Sequence, residues 1–135
     1  MLDQISIFLE NKPGRLAAVM KVLKDAGTDL RAFTIADTTD FGIVRIIAAD
    51  TEKALKALKE NDFTATSNKI LGVTIPDHPG ELNKVIEVLQ ATNVNIEYSY
   101  SFMGSRPDEA DIAIRTQNNE AAEQVLRTKG IKLLG

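Results

Sequence analysis

Apolar and polar positions change period along the chain. Ile5, Ile7 and Leu9 alternate with residues facing the other way, the period-two pattern of a strand covered on one face. Pro13-Gly14 follows, and the apolar spacing switches to Leu16, Val19, Met20 and Leu23. That i, i+3, i+4, i+7 spacing predicts a helix with one buried stripe, stopped by Gly27. Residues 30–38 read as a second strand, and Thr39-Asp40-Phe41-Gly42 turns it back into a third over residues 43–49. A short helix is expected from a cap at Asp50 or Thr51, with Glu52 favourably placed against its dipole. Residues 63–66 close the series as a fourth strand.

The series then starts again. Displaced by 66 residues, Asn11-Lys12-Pro13-Gly14-Arg15-Leu16 lands on Asp77-His78-Pro79-Gly80-Glu81-Leu82. Ile5, Ile7 and Leu9 land on Leu71, Val73 and Ile75, and the helix stripe lands on Leu82, Val85, Ile86 and Leu89. Beyond Asn95-Ile96 the offset becomes 68, which places a two-residue insertion within residues 104–108. Matching apolar positions alone arise between any two similar folds, whereas matching Pro-Gly punctuation points to duplication. The order βαββαβ, twice, is the ferredoxin-like split-βαβ layout: an α+β fold of antiparallel sheets with helices on one face. Two domains are expected, residues 1–68 and 69–135. A unit this small buries only about 60% of its unfolded surface, so the halves are expected to pack on each other and on a second chain.

Composition then removes functions. The 135 residues contain no cysteine and a single histidine, His78, which excludes thiolate zinc sites, cysteine nucleophiles and multi-histidine metal clusters; no metal or cofactor is expected. No run approaches the ~18 apolar residues of a membrane span. The start Met1-Leu2-Asp3-Gln4 lacks the basic and apolar segments of a secretion signal. A net charge of −3 with 5% aromatics gives little purchase on nucleic acid. A cytoplasmic protein that binds a small molecule or another protein is the remaining class. The fold itself hosts many functions, so function has to come from sites. Copper-chaperone relatives need paired cysteines. RNA-recognition modules need aromatics on the central strand, where Gly42-Ile43-Val44-Arg45-Ile46-Ile47 has none. An acylphosphatase-like hydrolase needs an arginine in the first strand–helix loop; Arg15 is there, but its counterpart is Glu81.

The two Pro-Gly corners, each followed by Gly27-Thr28-Asp29-Leu30 or Asn93-Val94-Asn95-Ile96, resemble the ACT domain, an amino-acid-binding regulatory module. The resemblance covers the whole chain as two tandem modules. It implies an allosteric regulator without catalytic activity, acting through a partner enzyme or as a homodimer, with the effector at a seam between modules. In the serine-sensing version on phosphoglycerate dehydrogenase, contacts come from the first strand–helix loop and the residue opening the second strand. Those positions are Asn11 and Asp29 in the first copy, Asp77 and Asn95 in the second. Leu9 and Ile75 stand where that enzyme has a histidine, so serine itself is not implied. An alternative within the resemblance is a regulatory subunit like that of acetolactate synthase, acting mainly by protein contact.

The residues support a binding loop by themselves. Pro13 and Pro79 are expected at the first helical position, where a missing N–H costs nothing. Gly14 and Gly80, without Cβ, allow close approach. The free N–H groups of the first turn, at the positive pole of the helix, suit an α-carboxylate, and an Asn11 or Asn95 carbonyl suits the ammonium. The candidate ligand-binding residues are therefore Asn11, Lys12, Pro13, Gly14, Arg15, Leu16 and Asp29, with Asp77, His78, Pro79, Gly80, Glu81, Leu82 and Asn95. The competing reading makes Asn11 and Asp77 ordinary helix caps and turn residues, and His78 an exposed loop residue.

Overall fold

In the computed structural model, which describes residues 1–37 and 40–135, the alternation of the first strand becomes a buried face. β1 (Leu2–Glu10) sends Ile5, Ile7 and Leu9 into the core. α1 (Arg15–Asp25) lays Val19 and Leu23 on them, and Gly27, with φ 70°, turns the chain after the helix. β2 (Leu30–Asp37) follows. Thr38 and Thr39, where the expected strand ends and its turn begins, lie outside the described residues. β3 (Phe41–Ala48) starts two residues earlier than expected, because Phe41 and Gly42 extend the ladder to Glu10 and Leu9 of β1. α2 (Thr51–Glu60) has the anticipated cap: the Asp50 carboxylate accepts from the Lys53 backbone N–H at 3.1 Å. Its Ala54 and Leu58 complete the core.

Register fixes which residues the helices cover. Ile5 faces Ile46, Ile7 faces Val44, and on the other side of β3 Ile46 faces Phe33 while Val44 faces Ile35. Opposed residues of an antiparallel pair share a face, so all six belong to the helix side. β2 is the edge strand, and there Phe33 and Ile35 remain 40% and 47% exposed.

The fourth strand differs from expectation. β4 (Thr64–Pro76) runs 13 residues without interruption, where a strand ending near Thr66 and a separate one through Leu71 had been anticipated. Ser67-Asn68-Lys69 carries no proline or glycine, so nothing interrupts the extended backbone. The chain divides into two compact units, one of Asp3–Asn68 and one of Lys69–Gly135 that also includes Met1–Leu2.

The C-terminal unit repeats the layout with α3 (Glu81–Ala91), β5 (Ile96–Ser101), β6 (Glu109–Thr116), α4 (Asn119–Thr128) and β7 (Lys132–Leu133). β4 pairs with β6 and β7, and β5 with β6, all antiparallel. The last strand is shorter than the expected residues 131–134. Leu71, Val73, Val85, Leu89, Ile114 and Leu126 form the core; burying each stabilises the unit by about 1.5–3 kcal/mol. Gly72 is needed for space, since a Cβ there would lie 2.6 Å from Leu2 Cδ1 and 2.9 Å from Leu134 Cβ. Leu82 and Ile86, assigned to the buried stripe by period, are instead 40% and 41% exposed. Their counterparts Leu16 and Met20 do pack on the N-terminal core. Each unit is thus βαββαβ, with an antiparallel sheet and its two helices on one face.

Candidate functional site

The loop between β1 and α1 is held by backbone bonds. The Asn11 N–H donates to Asp40 O at 3.0 Å, and the Lys12 N–H to Glu10 O at 2.9 Å, closing a tight turn around Asn11. Gly14 then takes the left-handed conformation, φ 85° and ψ −11°, and is itself the N-cap of α1. Two expectations change here. Pro13 precedes the cap instead of opening the helix, because the left-handed glycine separates it from the first helical residue. Asn11 cannot cap, since it lies three residues before Gly14, and no side chain caps α1. The N–H groups of Leu16 and Ala17 consequently have no acceptor among the described residues.

Charged groups around this corner have defined partners. Lys12 Nζ lies 2.8 Å from Glu10 Oε2, and both side chains are exposed. Its hydrogen bond and charge hold the Glu10 carboxyl below the usual carboxylate value, with a smaller push from Arg15. Arg15 carries its guanidinium 5.1 Å from the centre of the Phe63 ring, and its buried Nε has no hydrogen-bond acceptor among the described residues. A cation laid on a ring in this way is poorly arranged for a phosphate cradle. Leu16 packs against the core.

The second copy reproduces the loop. Asp77 N–H donates to Asp108 O at 2.8 Å, His78 N–H to Pro76 O at 2.9 Å, and Gly80 caps α3 with φ 90° and ψ −11°. Pro79 again precedes the cap, Asp77 again does not cap, and the N–H groups of Leu82 and Asn83 have no acceptor among the described residues. A Cβ at Gly14 or Gly80 would meet nothing within 4 Å, so each corner faces open space. His78 is exposed, and Glu81 pairs with Lys84 at 2.9 Å. Thr74, Pro76, Glu81, Pro107 and Asp108 help to line a hollow of about 500 Å³ beside this corner.

Asp29 and Asn95 sit elsewhere. Ala49 N–H donates to Asp29 O at 2.9 Å, and Gln117 N–H to Asn95 O at 3.1 Å. Along β3, Phe41 pairs with Glu10 next to the loop, and Ala48 pairs with Leu30 next to Asp29. Those ends are roughly 24 Å apart at ~3.4 Å per residue. No single unit brings Asn11 and Asp29, or Asp77 and Asn95, to one small ligand. Around Asn95 the structure gathers Gln90, Asn93 and Gln117 beside a hollow of about 420 Å³, residues the sequence pattern did not single out. A comparison of the copies would have marked two of them, since Gln90 and Asn93 replace Lys24 and Gly27. Among the described residues no three histidine, aspartate or glutamate side chains are grouped to hold a metal, and no helix is long and apolar enough to cross a membrane.

Comparison with known proteins extends these observations. A family model described as an ACT domain pair matches residues 1–134. Protein BT0572 from Bacteroides thetaiotaomicron has 44% identity and a TM-score of 0.92, over 98% of this chain and 91% of that one. The ligand-free regulatory subunit of aspartate kinase from Thermus thermophilus has 18% identity and a TM-score of 0.64, over 93% and 90%. The corresponding subunit from Thermus flavus has 20% identity and a TM-score of 0.60, over 95% and 93%. No curated protein sequence matches the chain.

Proposed function

Since the chain belongs to the ACT domain pair family, a regulatory fold, we propose that it binds a small amino acid at its Pro-Gly corners and transmits the bound state to a partner, without catalysis of its own. One observation carries this reading: both copies hold the same open corner, a left-handed glycine N-cap with two uncapped N–H groups behind it. Those donors, at the positive pole of α1 or α3, suit an α-carboxylate. The Asn11 or Asp77 side-chain oxygen, three residues before the glycine, suits the ammonium. The remaining contacts must come from outside the unit, because Asp29 and Asn95 lie at the far end of their own sheets. A ligand of about eight heavy atoms at ~0.6–1 kcal/mol each binds in the micromolar to sub-millimolar range. On this reading the protein acts in the cytoplasm as two domains, residues 1–68 and 69–135, and residues 11–16 and 77–82 with Asp29 and Asn95 serve the ligand.

A thermal-shift screen of the twenty amino acids tests it. One of them, at a hundred times its Kd, should add about 2.7 kcal/mol of stability. A flat response to all twenty contradicts the proposal.

A second reading, a regulatory subunit acting mainly through protein contact, is favoured by Phe33 and Ile35 on the edge strand β2. Apolar side chains beside unpaired strand hydrogen-bonding groups suit pairing with a partner enzyme or a second copy. Light scattering on the purified chain separates the two. A stable monomer that still responds to an amino acid favours the first reading.

A further inference from the structure

The helical layers of the two units differ in charge. α1 and α2 together carry six basic and three acidic residues, whereas α3 and α4 carry two basic and four acidic. The first layer is net positive and the second net negative. Like layers brought together from two copies repel, and unlike layers attract.

Shape divides along the same line. Between α1 and α2 lies a groove of about 440 Å³ with Val22, Ala26 and Ala57 along its floor and Lys21, Lys53 and Lys56 on its rim. Lys53 leans from α2 to the end of α1, where its Nζ would lie 3.7 Å from a Cβ on Gly27. The second copy has Glu87, Ala121 and Gln124 at the positions of these three lysines, so the basic rim belongs to the first copy alone. α3 carries the opposite feature. Leu82 and Ile86, one turn apart, stand 40% and 41% exposed, while their counterparts Leu16 and Met20 pack on the core of their own unit. Glu87 stands beside Ile86, held by the Asn83 amide at 3.0 Å and without a cationic partner among the described residues. The groove and the apolar ridge with its carboxylate therefore each occur once per chain.

We propose that the α1–α2 groove docks the α3 ridge of a second copy of this chain. Leu82 and Ile86 lie on the small-residue floor, as anchors one helical turn apart do in a helix-in-groove contact, and Glu87 meets the lysine rim. The positive charge of the groove rejects a second groove and the exposed ridge supplies what the groove lacks, so the contact is between unlike faces. This surface is separate from the edge strand β2.

Sedimentation of the full chain over a range of concentrations tests this. The 14.8 kDa chain should associate, and raising the ionic strength from about 0.05 to 0.5 M should weaken the association several-fold. Two charge variants at exposed positions, Lys53→Glu with Lys56→Glu on the groove and Glu87→Lys on the ridge, should each weaken it about tenfold. Mixed together they should associate about as well as the unaltered chain, because the reversed groove of one then faces the reversed ridge of the other. Ile86→Ser should also weaken association about tenfold, at low and high salt alike. Unchanged core amide signals in each variant show that the fold is intact. A chain that stays monomeric at every concentration overturns the proposal. A mixture no tighter than either charge variant alone overturns it as well. Association that ignores all these substitutions and is lost in Ile35→Ser overturns it in favour of pairing along β2.

Discussion

The backbone N–H of Asn11 donates to the carbonyl of Asp40 at 3.0 Å, tying the strand–helix corner to the turn between β2 and β3. The same bond recurs between Asp77 and Asp108 at 2.8 Å, although the second copy carries two more residues between its partners. The insertion was absorbed without loosening the corner. Amide exchange reads this directly: the Asn11 and Asp77 protons should exchange more slowly than those of Leu16 and Leu82, which have no acceptor among the described residues. Equal rates would mean that the corners open freely.

Gly14 and Gly80 are held by backbone conformation and not by crowding. An alanine at either place meets no neighbour but pays for the left-handed region, so Gly14→Ala and Gly80→Ala should each destabilise by about 1–2 kcal/mol. Asparagine should cost less. Denaturant titration with unchanged m-values checks both. A neutral Gly80→Ala would show that the corner relaxes.

Two leucines on the α3 stripe, one buried and one exposed, separate period from burial. Leu89→Ala should cost about 2–5 kcal/mol, because Leu89 is fully buried. Leu82→Ala, at a 40% exposed position, should stay within about 0.5 kcal/mol or slightly beyond. Denaturation midpoints of the two variants make the comparison.

The Glu10 carboxyl is lowered by Lys12, so removing the lysine should return it toward the ordinary value of 4.5. A lowered folded value means that the pair's contribution is present above the unfolded carboxylate range and lost as pH falls through the folded value. Both groups are exposed and the effect on stability is small, so the readout is the Glu10 side-chain carbonyl shift against pH in the chain and in Lys12→Ala. An unmoved titration curve would contradict the pairing.

Much of this architecture can be read from residue order. The switch from Ile5-Ile7-Leu9 to Leu16-Val19-Leu23 marks strand and helix because burial on one face imposes those periods. Asp50 announces its helix because a carboxylate three residues before a free N–H has one evident use. The doubled Pro-Gly corner marked the candidate loops. Other features depend on distant chain. The lack of a breaker at Ser67-Asn68-Lys69 permits one long β4 but does not demand it, since the ladders on either side decide it. Period assigns Leu82 and Ile86 to a face but does not say whether that face is covered. The hollow beside Asn95 needs Gln117, which arrives from the end of β6, beside residues on α3 and the turn after it. The resemblance names Asn11 and Asp29 as the contact positions of the first copy, and the sheet places them at opposite ends of one unit, a consequence of strand length and direction.

The measurement closest to the central claim is the backbone amide spectrum of the full chain, recorded as the most stabilising amino acid of the thermal screen is added. The N–H signals of Leu16 and Ala17, or of Leu82 and Asn83, should move downfield and saturate together as a carboxylate takes them as donors. Saturable binding that leaves all four signals in place would contradict the assignment of these corners as the effector site.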